Sequence, residues 1–70
     1  METFTYLTYK VITETPLKEQ PNLNSRTFAM IPQNRLFFVL KEENGWLTTA
    51  YGYVQSKDCE FAFSYEEELD

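Results

Sequence analysis

The run Phe4 to Thr13 reads FTYLTYKVIT, with threonine and tyrosine set among valine and isoleucine and no glycine. Side chains that are β-branched or aromatic fit a pleated surface, and helical spacing is poor. The run therefore predicts one strand with a break near Thr8. Its tyrosines read as half-buried cladding, the alternative being contact with a ligand. Thr27 to Ile31 is a second short apolar stretch, stopped by Pro32. In the turn that follows, Asn34 can take the left-handed conformation that glycine would otherwise supply. Leu36 to Leu40, LFFVL, is apolar without alternation, whereas a half-buried strand has every second residue polar. Trp46 to Thr49 and Tyr53 to Gln55 predict two more strands, separated by a reversal over Ala50 to Gly52. Ser56-Lys57-Asp58 reads as a single 3₁₀ turn. Glu60 to Tyr65 alternates so that Phe61, Phe63 and Tyr65 share one face of a last strand.

The intervening segments read as connections. Glu14 to Ser25 is polar, and Pro16 and Pro21 fix φ and remove backbone donors, which argues against a central strand there. Leu17 and Leu23 are the residues expected to pin this loop to the core. Its length is unusual in so small a domain and marks it as a candidate functional loop. Lys41 to Gly45 is a polar turn. Glu66 to Asp70 reads as a frayed acidic tail. The boundaries that follow are one domain over residues 1–65, including an extra strand at its N-terminal end, and a tail over 66–70. Short strands, frequent turn signals and no helix signal give an all-β fold, a small partly open barrel of five or six short strands.

Size and composition narrow what such a barrel can do. Seventy residues form one domain with a thin core. With one cysteine and no histidine, an intrachain disulfide and a His-containing or multi-Cys zinc site are excluded. Six Phe, five Tyr and one Trp must supply the apolar mass instead, and a surplus of them can serve a partner. The net charge of −5 argues against direct binding to nucleic acid or to an anionic membrane. No apolar run reaches the roughly 20 residues of a membrane helix, and the residues after Met1 lack a leader pattern. A cytoplasmic protein, complete as it stands, is the expectation.

The lack of histidine also removes a His general base and any Ser-His or Cys-His pair. The acids at Glu42-Glu43 and Glu66 to Glu68 read as solvated rather than as a catalytic dyad. Two glycines cannot make a phosphate loop. Nothing near Cys59 lowers its pKa, so the thiol reads as structural. The chain is expected to be no enzyme and to need no cofactor or metal.

The ordered set Thr15-Pro16-Leu17, Pro21, Asn24-Ser25, Ile31-Pro32, Phe37-Val39-Leu40, Asn44-Gly45-Trp46, Gly52-Tyr53-Val54 and Ser56 resembles the bacterial Src-homology-3 (SH3-like, SH3b-type) family. It covers roughly Tyr9 to Glu60. The resemblance implies a partly open barrel whose first long loop and Trp-bearing turn flank a shallow groove for peptides, cell-wall cross-bridges or protein surfaces. The groove residues it implies are Leu17, Lys18, Glu19, Gln20 and Pro21 from the loop, Trp46 from the turn, and Tyr53. Trp46 would both roof the barrel and wall the groove. The reversal before Gly52 is shorter than the family's usual hairpin. Ser56 to Cys59 lacks the Pro and Tyr that eukaryotic relatives present, which argues against recognition of proline-rich helices. Leu36 and Phe38 fall at positions the family keeps polar. They are expected to form an outward patch covered by a protein partner or a second copy, the alternative being burial under a terminal strand. The function expected is a non-catalytic intracellular protein-interaction module, such as the small regulators or inhibitors of phages and mobile elements. Cell-wall (peptidoglycan) binding and acidic mimicry of nucleic acid are the alternatives.

Overall fold

The computed structural model describes residues 2–69. They form β1 (Glu2–Val11), β2 (Thr15–Lys18), β3 (Thr27–Ile31), β4 (Leu36–Val39), β5 (Lys41–Glu43), β6 (Trp46–Thr48), β7 (Tyr53–Gln55), a 3₁₀ turn (Ser56–Asp58) and β8 (Cys59–Leu69). One antiparallel sheet has the order β4-β1-β8 and the other β3-β2-β7-β6-β5. The chain crosses between them at Leu40, whose N–H donates to Thr48 O at 2.7 Å, so β4 and β5 are two halves of one bent strand. The result is the expected all-β architecture, a small and partly open barrel.

Val11, Val39, Leu47, Val54 and Cys59 fill the space between the sheets, one each from β1, β4, β6, β7 and β8. Leu7, Tyr9, Leu17, Ile31 and Phe37 pack around them. Close-packed apolar burial of this kind is the main favourable term, and here it rests on few residues.

Local chemistry explains the turns. Asn44 and Gly45 both have positive φ, 53° and 82°, between the paired residues Glu43 and Trp46. This two-residue Asn-Gly link matches the twist of the strands it joins. It makes Lys41–Glu43 a strand where the polar pattern suggests only a turn. Asn34 takes φ 75°, as expected from its tolerance of the left-handed region. That turn is tied to the end of β1, since Asn34 N–H donates to Val11 O at 2.7 Å and Val11 N–H donates to Arg35 O at 2.9 Å. Thr49 holds the β6–β7 reversal: its Oγ1 accepts from the N–H of Tyr51 and of Gly52 and donates to Gly52 O.

Three expectations are corrected. First, Glu14–Ser25 is not one loop, because Thr15–Lys18 forms β2 with Pro16 inside it. Proline is tolerated there because β7 reaches β2 only at Lys18–Tyr53, so Pro16 faces no ladder on that side. Leu17 packs on the core, whereas Leu23 is exposed. Second, the acidic end is not frayed over its described part. Glu66, Glu67 and Glu68 pair with Thr5, Phe4 and Thr3, and β8 runs to Leu69; Asp70 lies outside the described residues. Third, Phe61 does not share a face with Phe63 and Tyr65. Thr8 pairs with Phe63 but Tyr9 pairs with Phe61, a bulge that skips Ala62 and turns Phe61 to the opposite face. The break foreseen at Thr8 is thus an irregularity of the β1–β8 ladder, and β1 itself is continuous.

Candidate functional site

β3 is an edge strand of the five-stranded sheet and β4 an edge strand of the three-stranded one. Between them lies an open groove of about 590 Å³, lined by Tyr6 of β1 and by residues of β2, β3, the β3–β4 turn, β4 and the β6–β7 reversal. Leu17, Met30, Leu36, Phe38, Leu40 and Tyr51 are among its apolar lining residues, and Arg35 is the one charged residue in the lining. A concave, mostly apolar wall with few polar groups is the usual character of a binding cleft. A smaller hollow of about 320 Å³ opens on the outer face of the three-stranded sheet, lined by Thr8, Leu36, Phe37, Phe38, Phe63 and Tyr65. Leu36 and Phe38 form the ridge shared by both.

The outer face is aromatic because the register puts it there. Residues directly opposite in an antiparallel sheet point the same way. Phe38, Thr8 and Phe63 make one row across the sheet, Tyr6 and Tyr65 the next, and Phe4 and Glu67 the last. The Tyr6 ring lies 5.6 Å from Phe4, 5.4 Å from Phe38 and 6.0 Å from Tyr65. In the other direction the face ends in Leu36, Lys10 and Glu60, with a 3.5 Å ion pair between the last two. Thr8 is small and sits on the valley floor between two phenylalanines. It is 3% exposed, and its Oγ1 has no hydrogen-bond partner among the described residues.

The structure gathers Leu17, Leu36 and Phe38 of the expected binding set into the groove. Leu36 and Phe38 are exposed, so neither is covered by a terminal strand. The rest of that set lies outside the groove lining. Lys18 is buried, and its Nζ donates to Ser25 O at 3.1 Å and to Thr27 Oγ1 at 2.8 Å. It therefore fixes the Glu19–Arg26 loop. Gln20 is exposed and held by Ser25, whose Oγ donates to Gln20 O at 3.0 Å; Glu19 and Pro21 are also exposed. Trp46 and Tyr53 are partly buried and stand on the outer face of the larger sheet, opposite Gln55 and Thr48. Met30, Tyr51 and Arg35 line the groove unforeseen. Met30 reads as an ordinary strand residue and Tyr51 as part of a reversal. The pairing of β3 with β2, and of β2 with β7 at Lys18–Tyr53, brings Met30 and Tyr51 to one opening of the barrel.

Compared with known proteins, the chain matches no family model, no curated protein and no solved structure.

The reactive groups are held in structural roles. Burial, with the charge of Asp58 adding to it, pushes the Cys59 thiol up to about 11, so it stays protonated at neutral pH. Asp58 accepts from Thr15 Oγ1 at 2.9 Å and from Lys57 Nζ at 3.1 Å, while its carbonyl accepts the N–H groups of Ile12 and Thr13. It thus locks the β1–β2 turn to the 3₁₀ turn. Burial also raises the Tyr9 pKa, with Glu42 acting in the same direction through the hydrogen bond that Tyr9 Oη donates to its Oε1 at 3.2 Å. The tail acids fall on both faces of β8, with Glu66 and Glu68 opposite threonines and Glu67 opposite Phe4. Among the described residues no group of three or more His, Cys, Asp or Glu side chains could hold a metal ion. No described helix is long and apolar enough to cross a membrane.

Proposed function

We propose that this chain is a non-catalytic, intracellular protein-interaction module of SH3-like type that docks on one macromolecular partner through the groove between β3 and β4. The observation that carries the reading is the groove itself, about 590 Å³ with a mostly apolar wall open to solvent. Its occupant is an extended segment of another protein. The free edge of β3 offers backbone groups to such a strand, and Met30, Leu36 and Tyr51 offer surface to alternate side chains along it. The SH3-like part of the reading is supported by Trp46 opening a strand directly after the Asn-Gly turn and by a partly open two-sheet barrel. In that reading the contact surface shifts from the loop and the indole to the opposite side of the β2–β3 hairpin.

Apolar docking tolerates salt, whereas attraction through the acidic ends does not. Capture from a bacterial lysate at moderate salt should therefore recover a stoichiometric protein with the wild type. A Met30→Lys/Tyr51→Ala double variant that remains folded should lose it. Recovery of no such protein, or equal recovery by the groove variant, overturns the proposal.

A further inference from the structure

The hollow on the outer face of the β4-β1-β8 sheet is a second site, set apart from the groove by the Leu36 and Phe38 ridge. We infer that it binds a small neutral phenol, one aromatic ring whose hydroxyl group is met by Thr8.

The Thr8 hydroxyl carries the inference. Thr8 pairs with Phe38 on one side and Phe63 on the other, so its side chain points into the hollow between two phenylalanines. It is buried, and its Oγ1 bonds to nothing among the described residues. Nearly all buried polar groups in native proteins are paired, and one left without a partner is a net cost to the fold. Valine, branched at the same carbon, would fill the position without that cost. A ligand that brings the missing partner gives the oxygen a use.

The lining sets the chemistry of that ligand. Phe38, Phe63 and Tyr65 present aromatic rings, and rings pack well on one another edge-on or offset. The volume of about 320 Å³ exceeds the ~150 Å³ that admits benzene in an apolar protein cavity, so a substituted ring has room. Thr8 and the Tyr65 hydroxyl are the only polar side-chain groups in the lining. Lys10 and Glu60, one row away, are paired with each other at 3.5 Å. A charged ligand would therefore lose its hydration with no counter-ion in return, and a purely apolar one would leave Thr8 as it is. A phenol hydroxyl both donates and accepts, as does threonine, so the pair can form in either direction. The ring belongs to a small molecule, because a tyrosine within a chain would press its backbone amides on walls that offer them no partner. Entry needs only side-chain motion: Phe38 and Phe63 are 58% and 50% exposed, and exposed rings change rotamer rapidly.

p-Cresol and toluene are the probes, alike in ring and methyl group and different in the hydroxyl. In heteronuclear NMR of the whole chain, p-cresol should give saturable shifts at the Thr8 methyl and at the Phe63 and Tyr65 rings. The dissociation constant should be on the order of 1 mM, as suits so small a ligand. The preference for p-cresol over toluene should fall about fivefold in Thr8→Val, which loses the hydrogen bond and keeps the fold. Thr8→Ser should retain the preference. p-Toluate and N-acetyltyrosine amide should each bind about fivefold more weakly than p-cresol, or worse. Tyr51→Ala, in the groove alone, should change none of this. The inference is overturned by the absence of saturable shifts at those three residues or by an unchanged preference in Thr8→Val. Loss of p-cresol binding in Tyr51→Ala overturns it too, as does tighter binding of the amide, which would assign the hollow to a protein side chain. No protein partner enters these titrations, so this proposal and the docking proposal fail separately.

Discussion

Gly52 and Gly45 offer a paired test of how the small barrel is closed. Both have a positive φ, 155° and 82°, so a side chain at either one meets backbone strain. For an L-residue in the left-handed region that strain is about 1–2 kcal/mol. The two sites differ in space. A Cβ on Gly45 meets nothing within 4 Å, whereas one on Gly52 would stand 2.5 Å from Lys18 O and 3.2 Å from Leu17 Cδ1. The close atom is backbone, so β2 must move. Lys18–Tyr53 is the one paired position between β2 and β7, and the β2–β3 hairpin is attached to the rest of its sheet through it. Gly45→Ala should therefore cost about 1 kcal/mol, the strain alone. Gly52→Ala should add the displacement, of the size seen for overpacking, for a total of about 3–4 kcal/mol. A 70-residue domain has roughly 4–10 kcal/mol to lose. Urea unfolding followed by fluorescence of the single, partly buried Trp46 measures both variants. At a slope near 1 kcal/mol per molar urea, the midpoints should fall by about 1 M and about 3 M. Equal losses for the two glycines would refute the claim that contact with Lys18, rather than φ, decides the cost.

Thr8→Val should raise stability by about 1 kcal/mol in the same assay, since it replaces a buried, unpartnered hydroxyl with a methyl group. Asp58→Ala should lower it by about 1–3 kcal/mol, because the fully buried Thr15 hydroxyl loses its acceptor. The Cys59 thiol titrates near 9 in the unfolded chain and about 11 in the fold, so its contribution is complete below pH 9 and declines from there to pH 11 as the unfolded state ionises first. The wild type should lose stability across that window and Cys59→Ser should lose less. Alkylation of Cys59 at pH 8 should be slow in the native protein and fast in urea.

The fold was legible where local chemistry decides it and hidden where pairing does. Asn34, Pro32 and the 3₁₀ turn could be placed from residue type, since φ preference and a missing donor act on one or two residues. β2 could not, because a proline signals a strand's absence unless its neighbour is known to end early. Phe61 was assigned the wrong face because a single skipped residue in β8 reverses every side chain before it, and no composition signal marks Ala62 as the bulge. Glu66 to Glu68 read as a solvated tail because acids are poor strand formers; β1 supplies the missing half of the ladder. At the site, Leu36 and Phe38 were legible as a breach of alternation. Met30 and Tyr51 were not, since their meeting is a property of the barrel's opening.

The first and last strands pair from Glu2–Leu69 inward to Val11–Cys59, so both described ends emerge side by side at one tip of a molecule 41 Å long. Tension applied to those ends loads the ladder crosswise, one rung at a time, rather than all rungs together. The domain should peel open at low force from that tip, and the aromatic rows of Phe4 and Tyr6 would be the first to part.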